Sequence, residues 1–90
     1  MKTNLITDII AETVFKDENG EYHREDGPAY IGANGICEIW YKHGQKHRED
    51  GPAVIWKLSD EHYFLEGFEY TKEDWEEEVV KIRLKRLIEL

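Results

Sequence analysis

The sequence predicts an α+β fold: an antiparallel meander sheet of β-hairpin repeats with one C-terminal α-helix packed on it. Three observations predict it. First, His23-Arg24-Glu25-Asp26-Gly27-Pro28-Ala29 returns unaltered 24 residues later as His47-Arg48-Glu49-Asp50-Gly51-Pro52-Ala53, and a fixed period of this kind marks units that stack. Second, the stretches flanking both copies are short, β-branched and aromatic, and are separated by Asn-Gly, His-Gly and Ser-Asp turns. Third, from Thr71 the apolar residues adopt a helical period, with acid leading and base trailing.

Taken in order, residues 1–10 form an N-terminal arm. Its Leu5, Ile6, Ile9 and Ile10 suit either a short helix or the lead into a strand. Thr13, Val14 and Phe15 make a strand within 11–16, and Asp17-Glu18-Asn19-Gly20 turns the chain toward the first copy of the heptamer. Within the heptamer, Asp-Gly signals a bend because Gly accepts positive φ, and Pro fixes the backbone after it. Arg24 with Asp26, and Arg48 with Asp50, are spaced to close a charge-assisted hydrogen bond across the bend or to bond its backbone. The motif then either shapes a loop or presents two equal contact patches to one partner.

After the first bend come a strand at 29–31, a turn at Gly32-Ala33-Asn34-Gly35, and the strongest strand of the chain at 36–42. Cys37, Ile39 and Tyr41 share the face expected to be buried, and Glu38, Trp40 and Lys42 share the other. The strand at 53–58 repeats the one after the first bend. Residues 62–67 match 39–44, and 14–20 end on the corresponding glycine, so two full copies are flanked by partial ones. Such units bury nothing alone and are expected to stack side by side.

The helix is predicted over 72–89, with Thr71 as N-cap and Asp74 at the third helical position. Glu73, Asp74 and Glu76 to Glu78 complement the positive end of its dipole, and Lys81, Arg83, Lys85 and Arg86 the other. Its apolar residues divide in two: Trp75, Val79 and Ile82 on one side, and Val80, Leu84, Leu87 and Ile88 nearly opposite. One set covers the sheet. The second needs the N-terminal arm, a second copy of the chain or a foreign protein. The whole, 1–90, reads as one domain made of the arm (1–10), the repeat sheet (11–70) and the helix (71–90).

Composition narrows the function. The chain carries −8, with fourteen acidic and seven basic residues up to Thr71 and six against five after it, so the acidity belongs to the sheet. Nucleic-acid backbones and anionic lipid surfaces would be repelled as partners, whereas a basic or neutral protein surface would not. Cys37 is the single cysteine, which excludes an internal disulfide and a thiolate cage, and a reducing, cytoplasmic setting is expected. No apolar run is long enough to span a bilayer.

The Trp40-Tyr41-Lys42-His43-Gly44-Gln45-Lys46-His47 run, with the Asn34-Gly35 turn before it, resembles MORN repeats, in particular a variant whose aromatic strand ends on Gly and leads to Gly-Pro-Ala. The likeness covers about Val14 to Tyr70. It departs from the usual Tyr-x-Gly pattern at Glu25-Asp26-Gly27-Pro28 and its copy. The resemblance implies an elongated hairpin sheet used as a scaffold or binding surface, and bacterial variants are described as antitoxin-like.

Chemistry offers little. His23 and His47 are equivalent positions and should stand a unit apart, and His43 with His47 near Glu49 or Asp50 is an incomplete ligand set. No nucleophile, base and oxyanion donor converge, Cys37 reads as a small buried hydrophobe, and every Gly belongs to a turn rather than a phosphate loop. No catalytic, cofactor or metal residue is therefore assigned. The expected function is non-enzymatic: a small acidic binder or inhibitor of another protein, antitoxin-like or of the anti-defence kind that phages and mobile elements carry. Its contact residues would be Trp40, Tyr41, Trp56 and Tyr63 with Glu25, Asp26, Glu49 and Asp50. The alternative is a structural protein dimerising through Val80, Leu84, Leu87 and Ile88.

Overall fold

A computed structural model describes residues 11–89, so the N-terminal arm expected at 1–10 lies outside the described residues. The strands are β1 (Thr13–Val14), β2 (Tyr30–Ile31), β3 (Cys37–Ile39), β4 (Tyr41–Lys42), β5 (Gln45–Lys46), β6 (Val54–Trp56), β7 (Glu61–Leu65) and β8 (Phe68–Tyr70), followed by helix α1 (Lys72–Glu89). The main sheet runs β1-β2-β3-β6-β7-β8, every neighbour antiparallel, and β4-β5 is a separate hairpin between β3 and β6. This is the α+β meander with a helix packed against β7 and β8.

The predicted strand at 36–42 is broken at Trp40, for a reason visible in its backbone. Trp40 N–H donates to Ala53 O of the main sheet (2.7 Å), whereas its carbonyl accepts His47 N–H of the hairpin (3.0 Å). One residue thus hands the chain from one ladder to the other.

Three hairpins are stacked by the same set of bonds. Arg24 N–H donates to Tyr41 O (3.3 Å) and Arg48 N–H to Phe64 O (3.1 Å); Gly44 N–H donates to Tyr22 O (2.8 Å) and Gly67 N–H to Lys46 O (2.9 Å). Each bend therefore docks on the hairpin of the next unit. Both of these hairpins turn through two residues of positive φ, His43-Gly44 (47° and 84°) and Glu66-Gly67 (51° and 86°), the type I′ geometry that matches strand twist. The first hairpin is one residue longer. Phe15 and not Lys16 is the counterpart of Trp40, since His23 N–H bonds Phe15 O as His47 N–H bonds Trp40 O. The register that aligned the glycines across 14–20 is thus out by one residue before the turn.

Ala29 and Ala53 are fully buried, which explains why each heptamer ends on a small side chain, and Cys37 and Val54 continue that core. A second cluster, Leu65, Trp75 and Val79, lies under α1 with Tyr63, Tyr70 and Ile82 packed around it. Thr71 Oγ1 accepts Asp74 N–H (3.1 Å), the predicted N-cap. The face Trp75-Val79-Ile82 covers the sheet as expected, and Val80, Leu84, Leu87 and Ile88 are exposed.

Candidate protein-binding cleft

The two bends are built alike down to single atoms. Arg24 Nε donates to Asp26 Oδ1 (3.3 Å) and its Nη1 to Pro28 O (3.2 Å); Arg48 does the same to Asp50 (2.9 Å) and Pro52 O (3.1 Å). Both bonds anticipated for the motif are made, one across the bend and one to its backbone. The guanidinium also lies on an aromatic ring of its own unit, Arg24 on Phe15 at 4.2 Å and Arg48 on Trp40 at 3.9 Å.

Gly27 and Gly51 serve this stacking rather than backbone freedom. Neither has positive φ, contrary to the turn chemistry inferred from Asp-Gly. A Cβ at Gly27 would fall 2.7 Å from Arg24 Cζ, and one at Gly51 would fall 3.0 Å from Arg48 Cζ. Glycine is there because the guanidinium occupies the space.

The histidines bind the units together. His23 Nδ1 accepts the N–H of His43 (3.0 Å) and His47 Nδ1 accepts that of Glu66 (2.9 Å), the first turn residue of the following hairpin in each case. That bond leaves Nδ1 without a proton, so Nε2 carries it and donates to Glu25 (3.0 Å) or Glu49 (2.8 Å). His43 and His47 have different partners. His43 stacks on His23 at 4.0 Å and holds Asp17 at 2.8 Å, and this contact keeps the Asp17 carboxyl below its usual range. Among the described residues, no three His, Cys, Asp or Glu side chains are grouped to hold a metal ion.

Six of the eight contact residues expected from sequence line one cleft of about 670 Å³: Glu25, Asp26, Trp40, Tyr41, Glu49 and Asp50. It lies between the two bends, with Arg83 and Arg86 of α1 on its rim. Trp56 does not line it; it ends β6, paired with Cys37 and exposed. Tyr63 is not on a free face, since Trp75 packs against it with ring centroids 5.0 Å apart. Trp40 is covered by Arg48 and Tyr41 is half-buried against Tyr22, so these aromatics form the floor of the cleft rather than an open stacking platform.

The carboxylates differ sharply. Side chains of Glu25, Asp26 and Asp50 are 77, 88 and 69% exposed, whereas Glu49 is 21% exposed and committed to the fold. It accepts Arg86 Nη1 at 2.6 Å and Nη2 at 2.9 Å, while its carbonyl accepts Arg83 Nη2 at 3.0 Å. The Arg86 guanidinium, aided by His47, holds the Glu49 carboxyl below its ordinary range against the opposing effect of burial. Arg83 and Arg86 line the cleft without having been singled out for it by sequence reading. Their place at the basic end of α1 gave a sufficient local reason for them, and only the docked helix aims them at Glu49.

Arg24, Lys42, Arg48, Arg83 and Arg86 meet Glu25, Asp26, Glu49 and Asp50 in the cleft, so its charge is nearly balanced. Comparison with family models, curated proteins and solved structures finds no match. No helix among the described residues is long and apolar enough to cross a membrane.

Proposed function

We propose that this chain is a non-enzymatic protein-interaction module, a small acidic binder that occludes a surface of another protein in the manner of an antitoxin-like or anti-defence inhibitor. The observation that carries the reading is the exposed apolar stripe Val80, Leu84, Leu87 and Ile88 on a helix whose other side packs Trp75, Val79 and Ile82 against the sheet. A contiguous stripe of this kind on a small chain marks a place where something docks. Exposed Glu25, Asp26 and Asp50 add charged groups that select a partner of opposite sign, and the MORN-like stacking of hairpins supplies a rigid platform.

Affinity capture on the immobilised full chain tests this, with elution by rising salt. A single basic protein retained in stoichiometric amount by the chain, and lost from a Leu84→Asp variant, is the expected result. Recovery of no protein at any salt overturns the reading. The same stripe also favours a second reading, a homodimer through α1. Sedimentation over a hundredfold concentration range decides it, because a strict monomer excludes that arrangement.

A further inference from the structure

Each joint between units is made partly by backbone and partly by imidazole. Two consecutive N–H groups of a hairpin turn reach back to the preceding unit. Gly44 and Gly67 donate to carbonyls, Tyr22 O at 2.8 Å and Lys46 O at 2.9 Å, which accept at any pH. His43 and Glu66 donate to His23 Nδ1 at 3.0 Å and His47 Nδ1 at 2.9 Å, which accept only while they carry no proton. The ring has no second nitrogen to offer, since Nε2 is turned to Glu25 at 3.0 Å or to Glu49 at 2.8 Å. Both imidazoles are shielded from water, 14 and 11% exposed, so no solvent molecule takes over the lost acceptor while the joint stays closed. A proton at Nδ1 therefore sets two donors face to face.

We propose that His23 and His47 are proton-operated latches between the stacked units, so that acidification releases the turns His43-Gly44 and Glu66-Gly67 from the bends before them. The coupling follows from linkage: the closed joint requires a bare Nδ1 and the open one accepts the proton, so each further pH unit of acidification favours opening by about tenfold once the freed ring titrates. Around His23 stand the Glu25 carboxylate, Glu21 packed on Gly44, and His43, whose ring stacks on it at 4.0 Å and holds Asp17 at 2.8 Å. A protonated His43 is offset by Asp17, and the remaining carboxylates favour a charged His23. Around His47 the charges are balanced. Glu49 is already bound by Arg86, and the pocket on one side sets Lys42, Lys85 and Arg86 against Glu66, Glu78 and Glu89, with His43 and Tyr70 also lining it. The cleft on the other side sets Arg24, Arg48 and Arg83 against Glu25, Asp26 and Asp50. Neither set holds the proton off the second latch. Because both bends and Trp40 and Tyr41 of the second hairpin line that cleft, releasing the joints also dismantles its walls, whatever binds there.

The test follows the full chain by NMR from about pH 8 to about pH 5, above the range in which Glu49 titrates. At the upper end the imidazole nitrogens of His23 and His47 should show neutral rings protonated at Nε2. Toward the lower end the exchange protection of the His43 and Glu66 amides, corrected for intrinsic rates, should fall by about tenfold per pH unit. Protection of the Trp40 amide, bonded to Ala53 O within the main sheet, should hold. The double variant His23→Asn, His47→Asn places a carbonyl oxygen where Nδ1 stood, and it should keep the protection at pH 8 and lose its pH dependence. His62→Asn, at a histidine that pairs with Glu69 outside both joints, should leave that dependence as in the parent. Should the double variant fail to fold, the parent's ring tautomers and amide protection decide alone. An Nδ1-protonated neutral ring at either position, protection unchanged through the histidine titration, or pH dependence that survives the double substitution or vanishes in His62→Asn would overturn the proposal.

Discussion

At the scale of single residues, duplication is a built-in control, because each position can be judged against its twin. Trp40 and Phe15 both lie under an arginine, but the buried indole N–H of Trp40 meets no acceptor among the described residues. Trp40→Phe removes that unsatisfied donor and adopts the side chain that already fits the first unit. It should therefore cost less than about 1 kcal/mol, whereas Trp40→Ala should cost about 3 kcal/mol, both read from urea unfolding. Gly51→Ala puts a methyl against Arg48 Cζ, the end of a flexible side chain, so the collision itself is relieved. What is lost is the guanidinium's seat on Trp40 and its bonds to Asp50 and Pro52 O, and a destabilisation of about 1–2 kcal/mol is expected in the same assay. Glu66 occupies a positive-φ turn position that Asn tolerates far better. Glu66→Asn should raise stability by about 0.5–1 kcal/mol, seen as a higher urea midpoint with an unchanged slope.

At the scale of elements, the decisive feature is how the array ends. In the first two units a guanidinium covers the ring of Phe15 or Trp40, but in the third the ring of Tyr63 is covered by Trp75. The indole N–H of Trp75 donates to Arg48 O of the preceding bend at 2.9 Å. Helix α1 therefore takes the place of a third bend and closes the stack, as terminal units of repeat proteins must. Glu49 fastens the far half of the helix, and its depressed carboxyl gives this fastening a pH dependence. A group whose pKa is lowered on folding stabilises fully above its unfolded value, here near 4.5, and loses that stabilisation as pH falls toward the folded value. Amide exchange in α1 beyond Ile82 should accordingly quicken as pH drops below about 4.5, after correction for intrinsic rates, and Glu49→Gln should show the faster protection loss already at neutral pH.

At the scale of the whole molecule, the buried residues lie at two places along one continuous sheet. Ala29, Cys37, Ala53 and Val54 hold the middle of the array, while Leu65, Trp75 and Val79 hold its end. Because every bend bonds to the next hairpin, loss of the end cluster should propagate inward. Trp75→Ala is expected to remove about 3–5 kcal/mol and to lower the single unfolding transition as a whole. Two separated transitions, by far-ultraviolet and aromatic signals, would show instead that the helix melts independently of the sheet.

The period of 24 residues, the turn residues and the change to a helical pattern at Thr71 are local signals, and they set the strand order, the helix bounds and its N-cap before any contact is known. They divide the helix into two apolar faces, and the packing of Trp75, Val79 and Ile82 around Leu65 shows which of the two meets the sheet. Local pattern was mute about the break at Trp40, because one residue serves two ladders only when both are present. It misread Gly27 and Gly51 for the same reason, their requirement arising from an arginine folded back upon them. Identical heptamers read alike in one dimension, and it took the docking of α1 across the second bend to make Glu49 a half-buried anchor and leave Glu25 exposed. That asymmetry comes from the three-dimensional position of each copy relative to the helix, which no repeat of sequence encodes.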